Sequence, residues 1–264
     1  MFDHVVVVVE ENHSYSEVIG NSSMPYLNGL AAQYGLATQY FADGHPSIPN
    51  YLALTTGETE TFDDDFSGTI FDDNVVRELV KAGKSWKAYA ESIPAQGYLG
   101  ADSGFYLRHH VPFTYFSDVQ NDASQAAKIV DLSQFPTDLA NSSLPNYSFV
   151  VPNIMDDAHN GTLAQADAWL QTNIAPLISS SAFQNGGLLI ITFDEGETTD
   201  LEHLGGHVAT VIVSTRAKPG FQSANTYQHP STLRLTLSSL GLNSFPGAAA
   251  SAPDMSDFFN SPTK

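Results

Sequence analysis

The sequence predicts an α/β fold built on a mostly parallel central sheet with helices on both faces. Three observations predict it. Short runs of strand character recur, and those at residues 5–9, 187–193 and 208–214 are nearly unbroken in Val, Ile and Leu. Such runs belong to strands buried on both faces. Segments with helical spacing lie between the runs, and alternation of strand and helix calls for a parallel sheet. Polar stretches rich in carboxylates and histidines follow several of the strands directly. In open α/β sheets that is where ligands bind.

Taken in order, the first strand is the valine run at 5–9, which breaks abruptly into Glu10, Glu11, Asn12 and His13. A second strand at 35–41 leads into "DGHPSIPNYLALTTG", where Ser47 stands before a helix with Pro49 in its first turn. Residues 73–82 read as a helix through Val75, Val76, Leu79 and Val80, and 85–90 as a strand. Residues 91–122 hold Pro94, Gly97, Gly100, Gly104 and Pro112 together with the aromatic tract "YLRHHVPFTYF". A long loop in a compact domain is usually functional or disordered, and the aromatic content argues for an ordered cover over a site. The strand at 147–151 opens into "PNIMDDAHNG", and 163–180 is a helix carrying Leu163, Ala166, Leu170, Ile174 and Leu177. The strand at 187–193 delivers Asp194 and Glu195, at the head of a loop that ends at His207 before the strand at 208–214. Residues 230–240 close the set as a helix with Leu233, Leu235, Leu237 and Leu240. With no internal repeat and no low-complexity linker, the expectation is a single domain over residues 1–264.

Composition restricts the function. Acidic residues number 29 against 10 basic, a formal net charge of -19. That field repels polyanions, which excludes nucleic acid and an anionic membrane as extended partners, and it suits cations. No apolar run approaches the ~20 residues that span a bilayer, so no membrane anchor is expected. The absence of cysteine excludes disulfides, thiolate metal sites and cysteine nucleophiles. Low lysine with much Ser, Thr, Asn and Gln fits a secreted or periplasmic mature chain. Met1 runs almost straight into a strand without a signal-peptide pattern, which leaves a cytoplasmic chain open. The oligomeric state is open as well.

Any one of the acidic stretches has a bland explanation, because carboxylates after a strand often cap the next helix. Their coincidence at one sheet edge carries the case. An Asp, Glu, Asn and His inventory without Cys suits Zn, Mn, Fe, Mg or Ca. Ser47 is either a plain N-cap or a hydroxyl poised at a helix start, where anions are favoured. Beside a metal, such a hydroxyl can ionise and attack phosphorus.

The segments "EENHSYSEVIG", "HPSIPNYLALTTG", "PNIMDDAHNG", "ITFDEG", "GGHVATVIVS", "KPG" and "YQHPSTLRLTLSSLG" occur in this order. Together they resemble the phosphoesterase family of bacterial acid phosphatases and phospholipases C, within the alkaline-phosphatase superfamily. The resemblance implies an alkaline-phosphatase-like fold and one or two divalent metal ions. It makes Ser47 the metal-bound nucleophile, with Asn50 and His110 on the substrate phosphate. Glu11 and Asn12, then Asp194 and Glu195, become ligands of the metal that Ser47 meets. Asp157, His159 and His207 become ligands at the other superfamily metal position, with Asp157 favoured over Asp156. The sequence departs from many superfamily members in having Glu195 where a histidine is common and Asn12 where an aspartate is common. The implied reaction is hydrolysis of a small phosphate monoester through a phosphoserine. A phospholipase C-type diesterase and a non-catalytic metal or phosphate binder are the alternatives. A sulfatase is disfavoured because Tyr51 stands where its motif carries Arg.

Overall fold

The computed structural model describes residues 1–260, so residues 261–264 of the expected domain lie outside the described residues. Ten strands form two sheets. They are β1 (His4–Glu10), β2 (Gly35–Ala37), β3 (Tyr40–Phe41), β4 (Trp86–Ala90), β5 (Ile129–Asp131), β6 (Tyr147–Val151), β7 (Gly187–Phe193), β8 (Thr210–Val213), β9 (Phe221–Ser223) and β10 (Tyr227–Gln228). Eight of them make the central sheet in the order β5-β4-β6-β1-β7-β8-β2-β9. The valine run lies in the middle, paired in parallel with β6 from Val5↔Tyr147 and with β7 from His4↔Gly187. All five valines are buried, as two-sided burial requires.

Helices cover both faces, and β1 shows how. Helix Ile48–Thr56 packs against helix His229–Ser239, and helix Pro25–Gln33 against Leu163–Ser179. Successive residues of a strand point to opposite faces. Glu11 meets Tyr51 of the first pair, whereas Glu10 feels the charge of Asp167 from the second pair. The Asp167 carboxylate ties that second pair together by accepting from the backbone N–H groups of Tyr26 and Leu27, both at 2.9 Å.

Several expectations need correction. The strand at 208–214 runs antiparallel to both β7 and β2, and it alone breaks the parallel arrangement of the central sheet. A hairpin therefore joins β7 to β8, which keeps residues 194–209 at the same rim as the ends of β1 and β6. The run at 35–41 divides, because β3 leaves the central sheet to pair with β10. Strands β5, β9 and β10, two or three residues each, are too short to show a period. The supposed cover is also two structures. From Val111 to Phe116 every residue is buried, and Phe113 stacks on Trp86 with centroids 5.1 Å apart and meets Phe149 at 5.2 Å. The aromatic tract that argued for order belongs in large part to the core.

Candidate active site

Ser47 stands at the start of helix Ile48–Thr56, buried, yet its side chain does not cap the helix. The cap is supplied from elsewhere: the backbone N–H of Ile48 donates to Asp64 Oδ1 at 3.0 Å. Pro49 has no N–H, and that of Asn50 is used by the Ser47 carbonyl at 3.0 Å. The first helical amides are thus occupied, which corrects the expectation that they hold an anion. The helix ends at Gly57, whose φ of +79° needs glycine and where a Cβ would lie 2.5 Å from the Pro246 carbonyl.

Freed from capping, the Ser47 hydroxyl faces oxygen. It lies 3.2 Å from Glu11 Oε2, 3.2 Å from Glu195 Oε1 and 3.4 Å from Asn12 Oδ1. A hydroxyl has one hydrogen to give to these three. Asn12 adopts the left-handed region, φ 53°, which asparagine tolerates better than most residues. Its backbone N–H donates to Asp194 Oδ1 at 3.1 Å, and the Asp194 N–H donates to the Glu10 carbonyl at 2.9 Å. The ends of β1 and β7 are so laced together that Glu11 and Asn12 meet Asp194 and Glu195 at one point.

The residues present fit a divalent cation. Glu11, Asp194 and Glu195 are buried carboxylates that each place an oxygen within 3.3 Å of the Asn12 amide, with no lysine or arginine paired to them among the described residues. Burial raises Glu11 and Asp194 well above the usual carboxylate range, and neighbouring carboxylates add to it. Burial takes Glu195 to about 8. The Asn12 amide lies against three acceptors, Glu11 Oε2 at 2.9 Å, Asp194 Oδ1 at 3.1 Å and Glu195 Oε1 at 3.3 Å, and with its NH2 turned toward them its oxygen accepts from His159 Nε2 at 3.3 Å. A cation there would draw on the oxygens of Glu11, Ser47, Asp194 and Glu195, and Asn12 would offer its own oxygen with the amide turned the other way.

A second group shares Glu11. His110 Nε2 lies 3.3 Å from Glu11 Oε1, and His110 Nδ1 lies 3.5 Å from Asp157 Oδ2. Glu11, His110 and Asp157 each present a ligand atom, all within 4.8 Å of one another. His110 Nε2 and Asp157 Oδ2 are buried without a hydrogen-bond partner among the described residues. Burial, helped by His159, drives His110 down to about 3, so its ring is neutral at physiological pH. Burial lifts Asp157 to about 7. His159 donates its backbone N–H to Asp157 Oδ1 at 2.8 Å, and its exposed ring stands at the mouth.

Two expected site residues are not brought in. Asn50 is fully buried and its amide holds the preceding loop, accepting from the N–H groups of Asp43 and Gly44 and donating to the Gly44 carbonyl at 2.8 Å and the Pro46 carbonyl at 3.3 Å. It shapes the approach to Ser47 and has no hydrogen left for a phosphate along those bonds. His207 stacks on Tyr15 with centroids 4.3 Å apart and directs Nε2 at the Thr38 carbonyl, 3.1 Å away. The hairpin into β8 carries it past the acidic cluster.

Three residues missed in the sequence stand closer. His45, inside the quoted "HPSIPN", bonds through Nδ1 to Glu195 Oε2 and through Nε2 to the Asp200 carbonyl at 2.9 Å. Tyr51 donates to Glu11 Oε1 and stacks on His110 at 5.0 Å and 8°. Its place four residues after Ser47, one turn on along the same helix face, was the available signal. His229 sends Nε2 to the Asp194 carbonyl at 2.6 Å while Nδ1 meets the Tyr40 hydroxyl at 3.1 Å. A carbonyl only accepts, so Nε2 carries the hydrogen. Burial lowers His229 to about 4 and keeps it neutral.

Known proteins resemble this chain in sequence and in fold. The chain is 36% identical over 262 residues to the phosphatidylinositol-3-phosphatase of Mycobacterium tuberculosis, covering 98% of this chain and 83% of that protein. It is 32% identical to a probable acid phosphatase of Kluyveromyces lactis and 33% identical to the phosphate-repressible acid phosphatase of Penicillium chrysogenum. These matches cover 81% and 75% of this chain, but 54% and 49% of the fungal proteins. Among solved structures it superposes on a protein of the alkaline phosphatase superfamily from Vibrio parahaemolyticus with a TM-score of 0.66 at 14% identity, covering 97% of this chain and 72% of that one. The lipoteichoic acid synthase of Listeria monocytogenes gives 0.67 at 12% identity, covering 91% and 72%. The fold is therefore alkaline-phosphatase-like. Residues 21–242 match the phosphoesterase family, and on that match and the mycobacterial relative together the chain belongs to the phosphoesterase family.

Proposed function

We propose that this chain is a cation-dependent phosphomonoesterase that works through a phosphoserine at residue 47. One observation carries the reading: the Ser47 hydroxyl, buried at a helix start and relieved of capping by Asp64, is aimed at Glu11 and Glu195. A structural serine at that position would cap its helix. Relatives named phosphatidylinositol-3-phosphatase and acid phosphatase support the monoester reading over the diester one.

Glu11, Asn12, Ser47, Asp194 and Glu195 are the residues that would hold the cation. Their oxygen-only set favours a hard ion such as Ca, Mg or Mn over Zn. When bound, such an ion acts as a Lewis acid, lowers the pKa of the serine hydroxyl and offsets charge on the phosphoryl oxygens.

The chain's own groups divide the remaining work. Ser47 Oγ attacks phosphorus, forming the Oγ–P bond as the bond to the leaving oxygen breaks. Its hydrogen passes to Glu195 Oε1, 3.2 Å away. His110 is neutral and donates one ring N–H toward the transferring group, while exposed His159 supplies a proton to the leaving oxygen. Water then cleaves the phosphoserine. Positioning and charge stabilisation account for most of such catalysis. No helix among the described residues is long and apolar enough to cross a membrane, and a small phosphate ester is the substrate class proposed.

The test is hydrolysis of p-nitrophenyl phosphate after exhaustive chelation and after return of single cations. Chelated protein should be inactive, one hard cation should restore it, and acid quench should trap phosphate on Ser47. Full turnover by metal-free protein would overturn the reading.

A further inference from the structure

Asn160 and Gly161 form one of three Asn–Gly pairs in the chain, beside those at 28–29 and 185–186. Asparagine is among the thermolabile residues, and it is most labile before glycine. The amide nitrogen of the next residue can attack the side-chain carbonyl carbon, and glycine has no Cβ to obstruct the approach. The attack needs a backbone that can bend and an N–H that no other bond holds.

The fold withholds both from two of the pairs. Asn28 and Gly29 lie inside helix Pro25–Gln33, and Asn185 and Gly186 inside helix Ser181–Gly186. There the backbone is fixed and each N–H is spent on the carbonyl four residues back. Asn28 is pinned further. Its Nδ2 donates to the Val18 and Met24 carbonyls at 2.9 and 2.8 Å, and its Oδ1 accepts the Gly20 N–H at 2.7 Å.

Asn160–Gly161 is held the other way. The pair lies in the loop between β6 and helix Leu163–Ser179, and Asn160 is exposed. The Gly161 N–H has no hydrogen-bond partner among the described residues. Asn160 Oδ1 accepts from His159 Nδ1 at 2.9 Å. A donor on that oxygen draws electron density from the amide carbon and stabilises the oxyanion formed on attack. The fold also retains the glycine, since a Cβ at 161 would stand 1.9 Å from the Met155 carbonyl oxygen. The loop that carries the exposed His159 ring thus keeps a labile pair.

We propose that Asn160 is a site of spontaneous deamidation, which places a new carboxylate beside His159 at the mouth of the active site. The Gly161 nitrogen bonds to Asn160 Cγ, the Cγ–Nδ2 bond breaks, and the displaced hydrogen leaves with Nδ2 as ammonia. The five-membered succinimide that remains is opened by water at either carbonyl carbon, giving aspartate or isoaspartate. One water is consumed, one ammonia is released, and nothing is oxidised or reduced. The chain gains one negative charge. A phosphate ester is anionic, so a carboxylate at the mouth repels it, and salt screens that repulsion.

The experiment has two arms. The first needs no activity: the protein is stored at mildly alkaline pH and its peptides are mapped by mass spectrometry, with isoaspartate methylation as a second label. Residue 160 should gain one mass unit while Asn28 and Asn185 stay intact. In denaturant the three pairs should react at comparable rates, which assigns the selection to the fold. Asn160→Gln keeps the amide but requires a larger ring, and it should hold its mass. An Asn160 that survives storage, or that reacts no faster than Asn28 and Asn185 in the folded protein, overturns the proposal. The second arm makes the product directly. Asn160→Asp in cation-loaded protein should raise KM for p-nitrophenyl phosphate several-fold at low salt and return toward the wild-type value at high salt. An unchanged KM at low salt overturns the effect at the mouth. If the wild type hydrolyses nothing, the phosphatase reading falls by itself, and the dissociation constant of inorganic phosphate, by calorimetry in the same two salts, replaces KM with the same outcomes.

Discussion

Tyr51 donates its phenolic hydrogen to Oε1 of Glu11, while Ser47, one turn earlier on the same helix, meets Oε2 of the same carboxylate. The helix therefore grips Glu11 from both ends. One oxygen takes the buried Tyr51 hydrogen and lies 3.3 Å from His110 Nε2, and the other is left toward the serine and the Asn12–Asp194–Glu195 group. A carboxylate held this way cannot swing to a bidentate pose without breaking a buried hydrogen bond.

Tyr51→Phe should show what that grip is worth. The substitution keeps the ring, and with it the stacking on His110 at 5.0 Å, so the fold should survive. Outer groups that orient metal ligands typically change metal affinity by about 10–100-fold when removed. The cation dissociation constant, measured by calorimetry, should weaken by that order. At saturating cation kcat should largely recover and KM should move little. An unchanged dissociation constant would make the Tyr51 hydroxyl incidental.

Stability should depend on pH with opposite character in the chelated and loaded protein. Burial raises Glu11 and Asp194, takes Asp157 to about 7 and takes Glu195 to about 8. Unfolded Asp and Glu titrate at about 3.9 and 4.3. A folded pKa above the unfolded one means the native state holds its protons more tightly. This contribution is fully present below about pH 4 and is lost as pH rises through about 7 and 8. Chelated protein should accordingly lose several degrees of Tm between pH 5 and pH 8. A cation competes with those protons, so the Tm difference between loaded and chelated protein should widen over the same interval. A chelated Tm that climbs with pH would contradict the burial of these carboxyls in their present partnership.

Much of this architecture was legible in the sequence, for identifiable reasons. The valine run and its partners at 147–151 and 187–193 are buried on both faces, and that leaves a continuous apolar signature. The strand ends then located Glu11, Asn12, Asp194 and Glu195 at one rim, because sheet geometry leaves them no other place. Direction was not legible: the run at 208–214 reads the same in a parallel or an antiparallel strand, and nothing in it shows that His207 stacks on Tyr15 and turns to the Thr38 carbonyl. Asn50 is hard to read because a buried amide that organises a loop looks, in sequence, like one that awaits a phosphate. Tyr51 is equally hidden, since a tyrosine on an apolar helix face resembles core. Glu10 was grouped with its neighbours, but strand alternation sends it to the other face, where both its carboxylate oxygens are buried without partners and burial raises it well above the usual range.

Asp194→Asn separates a ligand role from a folding role. Asp194 is fully buried among carboxylates and raised by burial and then by Glu195. Neutralising it relieves repulsion in chelated protein, so the chelated Tm at pH 8 should hold or rise. The Tm gain on adding cation should shrink, and turnover should fall by orders of magnitude. Wild-type turnover in this variant would remove Asp194 from the proposed cation set.

Ser47→Ala distinguishes an enzyme from a binder, and the geometry sharpens what to expect. Losing a helix N-cap typically costs about 1 kcal/mol, but Ser47 makes no side-chain cap and Asp64 performs that task. The stability change should therefore come only from the hydroxyl lost to Glu11 and Glu195, about 1 kcal/mol. Glu11 and Glu195 lose a weak donor, and alanine fills nearly the same space. If Ser47 is the nucleophile, turnover falls by several orders of magnitude in a protein that melts like the wild type and still binds cation. Residual hydrolysis in that variant should yield no phosphorylated protein after acid quench, whereas the wild type should carry phosphate on residue 47. A folded Ser47→Ala protein with near-normal turnover would instead assign the attack to water and leave the serine as one oxygen among several around the cation.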